Sequence, residues 1–173
     1  MPWIDLTRAD IEPVVFRETV ELPPDSGGED VVSVSPVELS GSVERSGKGY
    51  HLAGEARGAV QLRCVRCLTE FGFEFGERFA IQLSPADSAP QDEETRLGRD
   101  DLDTRFYAEP RTDLEELAAE QLALAMPVKP LCRADCRGLC PRCGANLNLG
   151  PCGCPEQRSD DRFAPLLEWR PSE

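Results

Sequence analysis

Residues 49–83 read GYHLAGEARGAVQLRCVRCLTEFGFEFGERFAIQL, and this stretch decides the fold. In its first half Tyr50, Leu52, Ala56, Val60 and Leu62 alternate with His51, Glu55, Arg57, Gln61 and Arg63. Side chains of extended backbone point to opposite faces in turn, so this alternation predicts a long half-buried strand. The chain turns at Arg63-Cys64-Val65-Arg66-Cys67. Beyond the turn Phe71, Phe73, Phe75, Phe79, Ile81 and Leu83 keep one parity, with Glu77 alone out of pattern. Gly76 beside Glu77 reads as a candidate bulge. The stretch predicts a β-hairpin with a C-x2-C at its tip.

Working outward, the upstream pattern is β from about residue 31, with Val37, Leu39 and Val43 in one phase and Ser46-Gly47-Lys48-Gly49 as a hairpin loop. Residues 1–30, punctuated by Pro13, Pro23 and Pro24 before Asp25-Ser26-Gly27-Gly28, read as an extended N-terminal segment. Residues 31–84 form the β-hairpin domain. Residues 85–104 carry Asp87, Asp92, Glu93, Glu94, Asp100, Asp101 and Asp103 against Arg96 and Arg99, and this composition predicts an acidic flexible loop. Residues 105–131 hold a short returning strand and a helix. Thr112-Asp113-Leu114-Glu115 reads as its capping box, Leu114, Leu117, Ala118, Leu122 and Ala125 as its apolar face, and Pro127 as its stop. Residues 132–173 form a cysteine-rich segment and a tail, with 162–169 as a short apolar stretch suited to docking back. The expected fold class is α+β: an antiparallel sheet or partial barrel, one main helix and a C-terminal zinc segment.

Six of the eight cysteines fall in LCRADCRGLCPRCGANLNLGPCGC, residues 131–154. Two residues between cysteines let one tight turn aim both sulfurs at one ion, at about 2.3 Å from zinc. Gly144 just past Cys143 is free to take positive φ. Lys129, Arg133, Arg137 and Arg142 surround these cysteines with Asp135 the one acid among them, a setting that favours thiolates. A disulfide framework needs an oxidising compartment. The N-terminus Met1-Pro2-Trp3-Ile4-Asp5-Leu6 has neither a basic nor an apolar leader region, so a cytoplasmic location is expected. A thioredoxin-like dithiol needs a strand-to-helix context, whereas Cys64 and Cys67 sit between two strands. Zinc is therefore the expected partner, and its role structural, because four thiolates leave no open coordination position. The cysteines divide in two ways. In the first, Cys140, Cys143, Cys152 and Cys154 hold one ion while Cys64 and Cys67 share a second with Cys132 and Cys136. In the second, one ion sits in the C-terminal run and Cys64 and Cys67 are free thiols.

The chain of 173 residues carries a formal charge of −13. Eight thiolates add eight negative charges and two zinc ions four positive, which brings it to about −17. Such a surface repels nucleic-acid phosphates except locally, near Arg133, Arg137 and Arg142, and suits a basic protein partner. No apolar run approaches the roughly 20 residues that cross a membrane.

Signs of catalysis are few. The one histidine, His51, lies mid-strand and reads as a surface residue. There is no G-x-S-x-G, phosphate loop or dinucleotide fingerprint. The Phe71-Gly72-Phe73-Glu74-Phe75 stripe has the form of a base-stacking strand, but its flanks are acidic, so core packing is the better reading.

Three features together resemble the YceD family, the large ribosomal RNA subunit accumulation proteins. They are the hairpin end at 63–68, the helix end Leu124-Ala125-Met126-Pro127, and the stretch Leu131-Cys132 through Gly138-Leu139-Cys140-Pro141-Arg142-Cys143-Gly144-Ala145-Asn146-Leu147-Asn148. The closing Asp161-Arg162-Phe163-Ala164 is similar as well. The resemblance covers roughly residues 31–168. It implies a cytoplasmic, non-enzymatic factor that promotes 23S ribosomal RNA accumulation and large-subunit assembly. Its partner would be a ribosomal protein or a large-subunit precursor particle. Two other readings stand beside it: a zinc-stabilised interaction module that regulates transcription, and a metal-dependent RNA-processing enzyme.

Overall fold

The hairpin of residues 49–83 is the spine of the molecule. A computed structural model describes residues 2–23, 26–89 and 103–155. Strands β4 (Val37–Ser46), β5 (Gly49–Arg63) and β6 (Glu70–Pro85) form an antiparallel meander. Between β5 and β6 the register runs unbroken from Tyr50 opposite Leu83 to Arg63 opposite Glu70. There is accordingly no bulge at Gly76. Glu77 keeps the core-side parity opposite Ala56 but is exposed.

Three aromatic rings explain several glycines. Phe16, Phe75 and Phe79 stand directly opposite Gly41, Gly58 and Gly54. A Cβ on Gly58 would lie 2.8 Å from the Phe75 ring, one on Gly54 2.8 Å from Phe79, and one on Gly41 3.0 Å from Phe16. The rings thus fold over bare backbone on the core face, which is where the phenylalanine stripe points.

The edges of the sheet depart from the sequence reading. The first thirty residues are not merely an extended lead-in. β2 (Val14–Val20) pairs with β4 along its whole length, burying Phe16 and Val20. β1 (Trp3–Asp5) pairs with β8 (Arg111–Asp113) as a separate two-stranded ribbon. A 3-10 turn at Leu6–Asp10 buries Leu6 and Ala9. Upstream of β4, β3 (Val31–Val34) pairs with the far half of β5, so β3 and the longer β4, separated by Ser35 and Pro36, share one edge of β5. β7 (Thr104–Tyr107) does return to the sheet, but parallel to β6 rather than antiparallel. A parallel pair cannot be joined by a tight hairpin turn, so β7 does not continue the β4-β5-β6 meander. The sheet order is β2-β4-β5-β6-β7, open rather than closed into a barrel. Most of the acidic loop lies outside the described residues, as do the 162–169 stretch and the 161–164 motif.

Helix α1 (Leu114–Ala125) covers the core face. Its N-cap is Asp113, one residue beyond the expected Thr112. Asp113 Oδ1 accepts from the backbone N–H of Glu115 at 2.8 Å and of Glu116 at 3.3 Å, while Thr112 is buried in β8. Asp113 satisfies two orphan N–H groups and places a negative charge at the positive end of the helix. Leu114, Leu117, Ala118 and Leu122 are buried against Leu6, Val37, Leu39, Val43 and Leu52. Each fully buried leucine contributes on the order of 1.5–3 kcal/mol. Pro127 follows the last turn, and the chain then runs to the tip of the β5/β6 hairpin, where the backbone N–H of Val65 bonds the carbonyl of Pro130 at 3.0 Å. Among the described residues no helix is long and apolar enough to cross a membrane.

Candidate metal centres

The hairpin tip follows from its sequence. Past the last β5/β6 pair, Arg63 and Glu70, the six residues Cys64–Thr69 close on themselves. The N–H of Cys64 bonds the carbonyl of Thr69 at 3.0 Å, and the N–H of Leu68 bonds the carbonyl of Cys64 at 2.8 Å. Leu68 takes φ +59° to do so. The segment Cys140–Ala145 repeats this geometry. Past the bridge between Leu139 and Asn146, the N–H of Cys140 bonds the carbonyl of Ala145 at 2.8 Å. The N–H of Gly144 bonds the carbonyl of Cys140 at 2.8 Å, with Gly144 at φ +72°. In both knuckles the left-handed residue stands directly after the second cysteine.

The first four-cysteine group joins Cys64 and Cys67 of the hairpin tip to Cys132 and Cys136, which follow the helix. Their sulfurs all lie within 4.8 Å of one another, with Cys64 Sγ 3.7 Å from Cys136 Sγ and Cys67 Sγ 3.6 Å from Cys132 Sγ. Four sulfurs at about 2.3 Å around a tetrahedral zinc ion would stand about 3.8 Å apart. Cys64, Cys67 and Cys136 are buried and pack with Phe71, Leu131 and Leu139. The second group, Cys140, Cys143, Cys152 and Cys154, also lies within 4.8 Å, but Cys143 is exposed and only Cys140 is buried. Both groups could hold a metal ion, and an all-sulfur set of four is one that zinc takes. These are the two foursomes of the first division of the cysteines, so Cys64 and Cys67 do not stand alone.

The electrostatics prepare each group for thiolates. Burial opposes ionisation of Cys64, yet backbone N–H groups of Cys132, Cys67 and Arg66 aimed at its sulfur bring it down to about 6. The N–H groups of Cys143 and Arg142 bring Cys140 down to about 6. The Thr69 hydroxyl, then its N–H, lowers Cys67. Burial and the neighbouring thiols Cys67, Cys136 and Cys64 push Cys132 up to about 12, and Cys143, then burial, pushes Cys154 up to about 12. Once some thiols of a group ionise, a cation is what lets the rest follow.

Four residues that the spacing of the cysteines does not mark support the first group. Asn148 Nδ2 donates to Cys136 Sγ at 3.3 Å. Its Oδ1 accepts from the Arg137 N–H at 2.8 Å and from Arg133 Nη2 at 2.9 Å. Asn146 Nδ2 donates to Thr69 Oγ1 at 3.3 Å, and Thr69 Oγ1 lies 3.4 Å from Cys67 Sγ. Arg66 Nη1 donates to the Cys136 carbonyl at 2.8 Å. The two amides are brought together by a turn: the Asn148 N–H donates to Asn146 Oδ1 at 3.0 Å and the Leu149 N–H to the Asn146 carbonyl at 3.1 Å, so the signal available was asparagine's preference for such turns. His51 is exposed on β5, opposite Glu44 and Gln82, away from both groups.

The family model for the large ribosomal RNA subunit accumulation protein YceD matches residues 52–168, a span that contains both knuckles and all eight cysteines. The chain belongs to the YceD family. An uncharacterized protein of Mycobacterium tuberculosis is 30% identical over 136 residues, 76% of this chain and 61% of that protein. A protein of Arabidopsis thaliana named large ribosomal RNA subunit accumulation protein YCED homolog 1, chloroplastic, is 25% identical over 157 residues, 79% of this chain and 49% of its own length. The Zea mays protein of the same name is 26% identical over 155 residues, 76% of this chain and 53% of its own. The chain thus spans about half to three-fifths of the length of these relatives. No solved structure matches it.

Proposed function

We propose that this chain is a non-catalytic factor that promotes accumulation of large-subunit ribosomal RNA by binding a basic ribosomal protein on the precursor particle. One observation carries the reading: the match to the YceD family, residues 52–168, takes in most of the β5/β6 hairpin, β7, α1 and both cysteine groups. The cysteine chemistry agrees with it. Each foursome, Cys64, Cys67, Cys132 and Cys136, then Cys140, Cys143, Cys152 and Cys154, holds one structural zinc ion. All coordination positions are taken by thiolate, so neither ion has room for a substrate or an attacking water.

Charge decides between protein and RNA as the direct partner. Two zinc ions on eight thiolates carry about −4 together. Arg63, Arg66, Lys129, Arg133, Arg137 and Arg142 lie around them, against Glu70 and Asp135. The knuckle region is therefore near neutral rather than basic. Arg66 and Arg133 are further committed to the Cys136 carbonyl and to Asn148. That leaves Arg63, Lys129, Arg137 and Arg142 for any rRNA contact, on a chain of charge −13. A cationic ribosomal protein fits such a surface better than a phosphate backbone. The factor works where ribosomes are built, in the cytoplasm or in a plastid.

Depletion of the protein in its host is expected to lower mature large-subunit rRNA relative to small-subunit rRNA, read by quantitative electrophoresis of total RNA. An unchanged ratio in a clean deletion strain contradicts the proposal. Low-salt affinity purification is expected to bring down large-subunit proteins. Recovery of RNA polymerase instead would favour a role in transcription.

A further inference from the structure

The two cysteine groups are chemically alike but mechanically different, and the difference assigns them different jobs. The first is held together by bonds that need no metal. Its two limbs meet through the Val65 N–H to the Pro130 carbonyl, the Leu139 N–H to the Arg66 carbonyl, and Arg66 Nη1 to the Cys136 carbonyl. Asn146 and Asn148 tie further residues to it. Gly138 sits so close to this junction that a Cβ on it would lie 3.1 Å from the Arg66 carbonyl oxygen.

The second group has one ordered limb, the Cys140–Ala145 knuckle. Its other limb, residues 150–155, makes no backbone hydrogen bond to another described residue. A Cβ built on Gly150 or Gly153 would meet nothing within 4 Å. Cys152 and Cys154 are therefore attached to the fold through the sulfur cluster itself. Cys143 is exposed there, whereas no cysteine of the first group is.

We propose that the Cys140, Cys143, Cys152 and Cys154 site is an oxidant-labile zinc site that gives up its ion to hydroperoxides while the Cys64, Cys67, Cys132 and Cys136 site keeps its own. This rests on the reading that each foursome holds zinc. The exposed Cys143 thiolate attacks the terminal oxygen of hydrogen peroxide, and the O–O bond breaks. The products are a sulfenic acid and, after protonation, one water. A second thiolate of the site, within 4.8 Å, attacks that sulfur, and the S–O bond breaks as the S–S bond forms. The departing hydroxide takes a proton and leaves as a second water. Two thiolates have lost two electrons, and the peroxide has gained them. With two ligands gone, the remaining two do not retain the ion, and residues 150–155 lose their attachment. The first site escapes because Cys64, Cys67 and Cys136 are buried, Cys132 is half-buried, and its limbs stay docked. Oxidant would thereby alter the knuckle end without unfolding the sheet.

The test uses the full chain purified under reducing conditions, with zinc counted first and excess reductant removed. Hydrogen peroxide is added with a colorimetric zinc dye, and thiols are mapped by alkylation and peptide mass spectrometry. One zinc per chain is expected to leave at least about tenfold faster than the other. The early disulfide is expected to lie within 140–154 with Cys64, Cys67, Cys132 and Cys136 still reduced, and reductant plus zinc is expected to restore the starting state. Release of both ions together, earlier oxidation of Cys64 or Cys67, or no faster release at all overturns the proposal. Protein that is purified gently yet holds no zinc overturns the metal reading itself, and is told apart at the first count.

Discussion

The tips Cys64–Thr69 and Cys140–Ala145 have the same closing hydrogen bonds, the same cysteine spacing and the same left-handed residue after the second cysteine. Their stems differ. The first sits on a hairpin paired from Tyr50 to Arg63, the second on a single bridge between Leu139 and Asn146. Knuckle geometry is therefore a local property of C-x2-C and the residue behind it, while knuckle permanence comes from the stem. A long hairpin fixes Cys64 and Cys67 before any metal arrives. The short one borrows its order from the first site, through Asn146 and Asn148.

Five substitutions sharpen or break that contrast, in falling order of effect. Cys64→Ser removes a fully buried ligand that joins the sheet to the C-terminal segment. It is expected to cost about 3 kcal/mol or more in denaturant unfolding, part of the on the order of 10 kcal/mol that structural zinc supplies to small domains. Cys143→Ser is expected to leave the sheet transition in place and to open residues 141–155 to protease; equal losses from the two variants would erase the distinction. Asn148→Ala removes the donor to Cys136 Sγ and the acceptor for the Arg137 N–H, and is expected to cost about 1–3 kcal/mol. Its thermal melt should fall further than that of Arg142→Ala, whose side chain has no such partners. Gly144→Leu forces a side chain into φ +72° and is expected to weaken zinc retention by about 1–2 kcal/mol. Leu68→Gly runs the other way: relief at φ +59° is offset by a more flexible unfolded chain, so the change is expected to stay within about 1 kcal/mol. A large loss there would mean that the Leu68 side chain, and not its backbone, matters.

Much of this was legible in the residues because it rests on local rules. The alternation from Tyr50 to Leu83 marked the spine, and Val37, Leu39 and Val43 marked its neighbour. Both knuckles were visible as C-x2-C. The grouping of cysteines was legible only as one of two divisions, because sequence spacing does not say which pairs meet in space; the run of α1 and the bond from Val65 to Pro130 bring Cys132 to the hairpin tip and match the first division. The N-terminal strands were hidden by prolines, since Phe16 looks isolated until Gly41 opposite it is known to leave room for its ring. The parallel sense of β7 was equally hidden, because a four-residue strand carries no mark of direction. The supporting amides Asn146 and Asn148 looked like loop residues, and their roles come from the fold around them.

The claim that matters most is that two separate zinc ions are held, one by Cys64, Cys67, Cys132 and Cys136 and one by Cys140, Cys143, Cys152 and Cys154. Native mass spectrometry of the full chain, beside its Cys64→Ser and Cys143→Ser variants, tests it directly. The account predicts two zinc ions in the unaltered chain and one in each variant, with the surviving four thiols protected from alkylation. A single ion in the unaltered chain that persists after Cys64→Ser and disappears after Cys143→Ser would contradict it, and would leave the hairpin tip as a turn with two free thiols.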